Sequence, residues 1–169
     1  MKGYKKVIFI SNLILFFGVF NWMIVQKENT IKNGTLVLLD LYPLDPRSLM
    51  QGDYMRLRYE MTNTWNMDDS FSPRGYCIVK KSATNVASYE RLQDNNKGLA
   101  SDEIAIKYYG SSSGSIKIGA ESFMFEEGQA ATYEKAAYGG LRVAADGSAV
   151  LVGLYDASGQ KIINNYDIE

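Results

Sequence analysis

Hydrophobic positions in this chain change rhythm once, near residue 26. Residues 7–25 read VIFISNLILFFGVFNWMIV, nineteen positions without a charge. At the helical rise this segment spans about 28 Å, close to the thickness of a bilayer's hydrocarbon core. Residues 26–34 are polar and end in Asn33-Gly34, the pattern of a short linker or turn. Beyond them the pattern becomes short and two-fold, predicting strands at 35–42, 53–61, 76–81, 87–92, 102–109, 116–125, 141–144, 149–155 and 161–163. The clearest is 53–61: Tyr54, Arg56, Arg58 and Glu60 point one way, Met55, Leu57, Tyr59 and Met61 the other. Helical spacing recurs at 127–138, where Gly139-Gly140 would stop it. Polar or glycine-rich stretches at 62–74 and 110–115 separate the strands, and Asp146-Gly147 and the Ser158-Gly159 region read as hairpin turns.

The pattern predicts a mainly β fold: a single membrane-tethered β-sandwich or distorted barrel, one flanking helix, and one N-terminal transmembrane helix. Its divisions are a cytoplasmic N-terminus at 1–6, a signal anchor at 7–25, a linker at 26–34 and an extracytoplasmic β-rich domain at 35–169. Lys2, Lys5 and Lys6 precede the apolar segment and place that end in the cytoplasm, while Trp22 lies near the far interface. A cleaved signal peptide would end in a small-x-small site, which the exit Asn21-Trp22-Met23-Ile24-Val25-Gln26-Lys27 lacks. No cysteine directly follows the segment, which excludes a lipoprotein anchor. Inside it, Asn12, Phe16 and Phe20 recur at four-residue spacing on one face. Asn12 either finds a partner helix for its amide or reaches toward the headgroups.

Composition narrows the chemistry. With a tether of about 25 residues removed, about 140 remain, enough for one domain. A net charge of −1 gives no reason to expect nucleic acid as a partner. Histidine is absent, which excludes a Ser-His-Asp triad, a Cys-His dyad or a histidine zinc site within the chain. The single cysteine, Cys77, alternates with bulky residues and reads as a buried strand thiol. Asp68-Asp69 and Glu126-Glu127 are adjacent pairs that diverge on a strand or loop, and no glycine loop for phosphate or ligand-dense calcium loop is present. The sequence therefore implies no cofactor, no metal and no catalytic residue.

The most specific stretch is residues 45–59, DPRSLMQGDYMRLRY, preceded by Pro43. Pro43 and Pro46 stiffen the approach around Asp45, Gly52 supplies a conformation a Cβ disfavours, and Asp53 is placed to bond turn N–H groups. Arg47, Tyr54, Arg56 and Arg58 then admit two readings. In one they are structural, the arginines pairing with Glu60, Asp53 or Glu121. In the other they form a docking face or bind an anion, since arginine and tyrosine are enriched in interfaces and guanidinium suits carboxylate or phosphate.

These residues resemble the bacterial family of small membrane-associated proteins named for a GDYXXXLXY motif. Pro43, Asp45, Pro46, Arg47 and Leu49 are similar to its approach, and Gly52, Asp53, Tyr54, Leu57 and Tyr59 to the motif itself. This chain has two residues before the leucine where that spelling implies three. Residues 119–128, with Glu121, resemble the family's glycine, glutamate and aromatic strand, and 141–154 its closing hairpin. The resemblance implies a companion of a polytopic inner-membrane protein: a non-catalytic accessory subunit in the bacterial cytoplasmic membrane, its domain periplasmic or extracellular. The rival expectation is an extracytoplasmic binding domain for a small anion or an envelope glycan. A Ser–Lys membrane peptidase ranks last, because aligning Gly52-Asp53 with that class puts Leu44, which has no hydroxyl, at the nucleophile.

Overall fold

Uncharged apolar residues followed by polar residues that pair along a helix give one long helix, α1, Gly3–Asn33. The computed structural model describes residues 3–42, 54–62, 72–110, 116–126 and 128–163. The stretch expected as a linker at 26–34 is helical up to Asn33. Its side chains support the helix at four-residue spacing: Lys32 pairs with Glu28 at 3.2 Å, Asn33 Nδ2 donates to Asn29 Oδ1, and Thr30 Oγ1 donates to the Gln26 carbonyl. Extending an existing helix costs far less than starting one, and a side-chain pair such as Lys32–Glu28 adds about 0.2–0.5 kcal/mol. Thr30 is buried against the domain, and Arg142 Nη1 holds the Gly34 carbonyl at 2.8 Å. The helix thus meets the β domain without a loop.

The strands are β1 Thr35–Asp40, β2 Tyr54–Arg56, β3 Arg74–Lys81, β4 Val86–Gln93, β5 Glu103–Gly110, β6 Ile116–Lys117, β7 Ser122–Met124, β8 Tyr138–Val143 and β9 Ala149–Tyr155. Among the described residues, seven form one sheet in the order β6-β5-β3-β4-β1-β8-β9, and β2 and β7 form a separate ribbon. Pairing is antiparallel except between β1 and β4, where Leu38 aligns with Val86. The large sheet curls into a half-barrel, so of the two expected architectures the distorted barrel is the one formed. Its curl brings the β8–β9 turn to the open edge of β5: Lys107 N donates to the Gly147 carbonyl at 2.8 Å, and Lys107 Nζ reaches Asp146 at 2.6 Å. The inner face buries Val37, Leu39, Cys77, Val79, Ile106, Leu141, Val143 and Leu154, and the row Met55, Leu57, Tyr59, Met61 packs into it.

Further expectations change, among them the strand at 53–61, which runs only over Tyr54–Arg56 before a 3-10 turn at Glu60–Thr62. Helical spacing at 127–138 yields only a single turn, α2 Ala130–Tyr133, because β8 takes the following residues into the sheet between β1 and β9. Gly139 and Gly140 lie inside β8 instead of ending a helix; a Cβ on Gly139 would stand 2.8 Å from the Tyr59 ring, and one on Gly140 would strike Tyr155. The strand expected at 116–125 divides into β6 and β7 around Gly119, whose φ of +78° breaks the run. At 161–163 only an isolated bridge from Lys161 to Tyr155 forms.

Candidate functional site

The alternation at 54–61 becomes a division between core and surface. Met55, Leu57, Tyr59 and Met61 are buried, and Arg56, Arg58 and Glu60 are exposed. Two partners hold the segment in this sense. On one side β2 pairs with β7, aligning Tyr54 with Met124, Met55 with Phe123 and Arg56 with Ser122, and Leu57 N continues the ladder to the Glu121 carbonyl at 2.8 Å. On the other, Tyr42 N donates to the Arg58 carbonyl at 2.8 Å and Leu41 bridges to Tyr59. A one-residue slip would exchange the buried and exposed rows, so this double pairing sets which side chains face outward.

Within the core, Tyr59 OH donates to the Ala120 carbonyl at 2.7 Å. Burial, and then the nearby Glu121 charge, push the phenol far above its ordinary pKa. Glu121 turns its carboxylate to the break after β6, where Oε1 accepts from Ile118 N at 2.6 Å and Gly119 N at 3.2 Å. Leu57, Tyr59 and Glu121 therefore hold the ribbon to the barrel. Behind β7, Phe123 packs edge-on against Tyr133 at 5.0 Å and near Phe125 at 6.4 Å.

The outward face carries Arg56, Arg58, Glu60, Ser122 and Met124, with Tyr54 contributing its backbone position opposite Met124. Among the described residues neither Arg56 nor Arg58 forms an ion pair: Glu121 is engaged with backbone, and Glu60 lies beside Asp40. The expected pairing of these arginines with Glu60 or Glu121 is not found. Met124 is 80% exposed, a large apolar side chain on the same ribbon as Arg56, whose cross-strand neighbour Ser122 lies two residues before it. Sequence reasoning missed it, because which residues of 122–125 face outward depends on the strand they pair with. The only sequence signal is the alternation Phe123-Met124-Phe125, in which the aromatic rings claim the core.

Pro43, Asp45, Pro46, Arg47, Gly52 and Asp53 lie outside the described residues. On α1, Asn12, Phe16 and Phe20 share an exposed face, and the Phe16 and Phe20 rings stack at 6.2 Å. Asn12 Nδ2 donates to the Ile8 carbonyl at 2.9 Å, so part of its amide is satisfied by its own helix. Cys77 is fully buried, and burial pushes its thiol up to about 12, far from the thiolate range needed for reactivity.

Beside the ribbon lies a cleft of about 180 Å³ lined by Leu39, Asp40, Glu60, Met61, Ala87, Ser88 and Tyr89. Partial burial and then the Glu60 carboxylate raise the pKa of Asp40. The two carboxylates are close enough to feel each other, a pairing the sequence distance between them conceals.

The sequence model of a family described as GDYXXLXY protein matches residues 16–154. Its spelling has two residues between tyrosine and leucine, as does Gly52-Asp53-Tyr54-Met55-Arg56-Leu57-Arg58-Tyr59, so the three-residue spacing is corrected to two. No curated protein and no solved structure matches the chain.

Proposed function

The chain belongs to the GDYXXLXY family, and from that premise we propose that it is a non-catalytic accessory subunit of a membrane protein assembly. In this reading α1 crosses a bacterial cytoplasmic membrane with its N-terminus inside. The β domain stands on the far side and docks to a polytopic partner through α1 and the outward face of the β2–β7 ribbon. The helix is long and apolar enough to cross a bilayer, and lysines at its N-terminal end favour that orientation. Confinement to the membrane raises the domain's effective concentration near a partner, so a modest contact suffices.

The observation that carries the reading is the composition of the outward face. Exposed Arg56, Arg58 and Met124 contribute no core packing, while their neighbours Met55, Leu57 and Phe123 do. Arginine and methionine are residue types enriched where proteins meet, and a partner offering carboxylates beside an apolar socket would match them.

Full-length protein carrying Arg56→Glu, Arg58→Glu and Met124→Asp tests this. Recovery of a co-purifying membrane protein should fall about tenfold, the scale of losing one interface anchor, while the thermal midpoint stays close to that of the unaltered chain. Undiminished recovery contradicts the reading. Should the triple variant unfold, Met124→Ser alone carries the test, because that side chain contributes little to the core.

A further inference from the structure

A second cleft, of about 300 Å³, opens on the side of the sheet away from the core, between β3 and β5. It lies at the lower end of the size range for ligand pockets, about 300–1,000 Å³. Alternation builds it. Gly75, Cys77 and Val79 of β3 face inward, so Arg74 and Tyr76 face outward; Ile106 and Tyr108 of β5 face inward, so Lys107 and Tyr109 face outward. The register sets Arg74 opposite Tyr109 and Tyr76 opposite Lys107, which gathers two aromatic rings and two cations in adjacent rows.

The groups are held in place. The β8–β9 turn backs the Tyr76 ring: a Cβ on Gly147, whose φ is +85°, would stand 2.7 Å from Tyr76 Cε1. The Cδ1–Cε1 edge of the ring therefore rests against the turn, and Tyr76 also lines the cleft. The Arg74 guanidinium lies 5.8 Å from the centroid of the Tyr109 ring, which is half-exposed. Lys107 is fixed by Asp146 at 2.6 Å and Ser148 at 3.3 Å. Across the cleft, Asp94 accepts from the Ser72 hydroxyl at 2.9 Å. Lys107 is neutralised by Asp146, which lies outside the cleft lining, so the lining's remaining charges, Arg74 and Asp94, balance. A site for a phosphate or other anion would carry an excess of positive charge. Rigid aromatic faces ringed by both donors and acceptors suit instead a ligand with apolar C–H faces and many hydroxyl groups.

We propose that this cleft binds a neutral pyranose ring of a glycan, with Tyr76 as the stacking platform and Arg74, Lys107 and Asp94 bonding its hydroxyl or amide groups. The site is separate from the β2–β7 face, and its occupation does not depend on a protein partner.

The full chain in lipid nanodiscs would be titrated with an N-acetylhexosamine tetrasaccharide and, separately, a glucose tetrasaccharide, reading saturation transfer to the sugar ring protons. Saturable transfer to at least one of them is expected. It should weaken about fivefold in Tyr76→Leu and in Arg74→Ala, the scale of one lost aromatic or charged contact. The Arg56→Glu/Arg58→Glu chain should bind the sugar as the unaltered chain does. Absence of transfer from both sugars overturns the proposal, as does transfer indifferent to Tyr76 and Arg74. Saturable binding of inorganic phosphate that depends on Arg74, without sugar binding, makes the cleft an anion site and equally overturns it.

Discussion

Tyr59 shows how much one residue of the motif contributes to the fold. Its hydroxyl satisfies the Ala120 carbonyl, its ring fills the space that Gly139 leaves, and its backbone ties the segment to Leu41. Removing the hydroxyl leaves a buried carbonyl without that donor, at a cost of about 1–3 kcal/mol. Tyr59→Phe should lower the denaturant midpoint accordingly with the transition slope unchanged; an unaltered midpoint would show that water replaces the bond. The alternation from Met55 to Met61 made this burial legible, because a two-residue period needs no knowledge of the partner strand. Met124 was not legible, since its exposure follows from pairing with Tyr54, about seventy residues away along the chain. Likewise Glu121 looked like a possible partner for the arginines, yet backbone N–H groups two and three residues away compete for its carboxylate at lower entropic cost.

Elements were legible where local pattern and tertiary demand agree, as at β1, β3, β4, β5 and β9. They failed where the sheet overrides local preference. Alanines at 130–137 favour helix, but β8 gains two hydrogen-bonded edges and lets Tyr59 and Tyr155 close over its glycines. The closure of the half-barrel is a further tertiary feature. It rests on the β8–β9 turn, where Asp146 meets Lys107 and Ser148. Partial burial pushes Asp146 up, but the Lys107 ammonium and the Ser148 N–H and hydroxyl outweigh it and bring the carboxyl from 3.8 down to about 2. A folded pKa below the unfolded one stabilises the fold above the unfolded value, and that contribution is lost as pH falls through the folded one. With the side chain 60% exposed, solvent screening reduces the gain to about 1 kcal/mol. Asp146→Asn should therefore be less stable than the unaltered chain at neutral pH. The gap should narrow as pH falls from 3.8 toward about 2. A gap that persists unchanged at the acid end would mean the carboxylate charge plays no part in the closure.

For the whole molecule, the junction between helix and domain matters most. A flexible tether would let the domain face any direction, whereas α1 runs unbroken to Asn33 and is anchored through Thr30 and Arg142. The domain is thereby presented in one orientation relative to the helix, and the Arg56, Arg58 and Met124 face with it. For the proposed docking, such fixed presentation would lower the entropic cost of engaging one partner through both the helix and the face. The direct test is a photo-crosslinking amino acid placed at position 124 of the full-length chain in its native membrane, with position 97 as the exposed control. We predict one abundant crosslink from 124 to a polytopic membrane protein, and none to that protein from 97. A chain that remains uncrosslinked at 124, or that captures the same proteins equally from both positions, would contradict the accessory-subunit account.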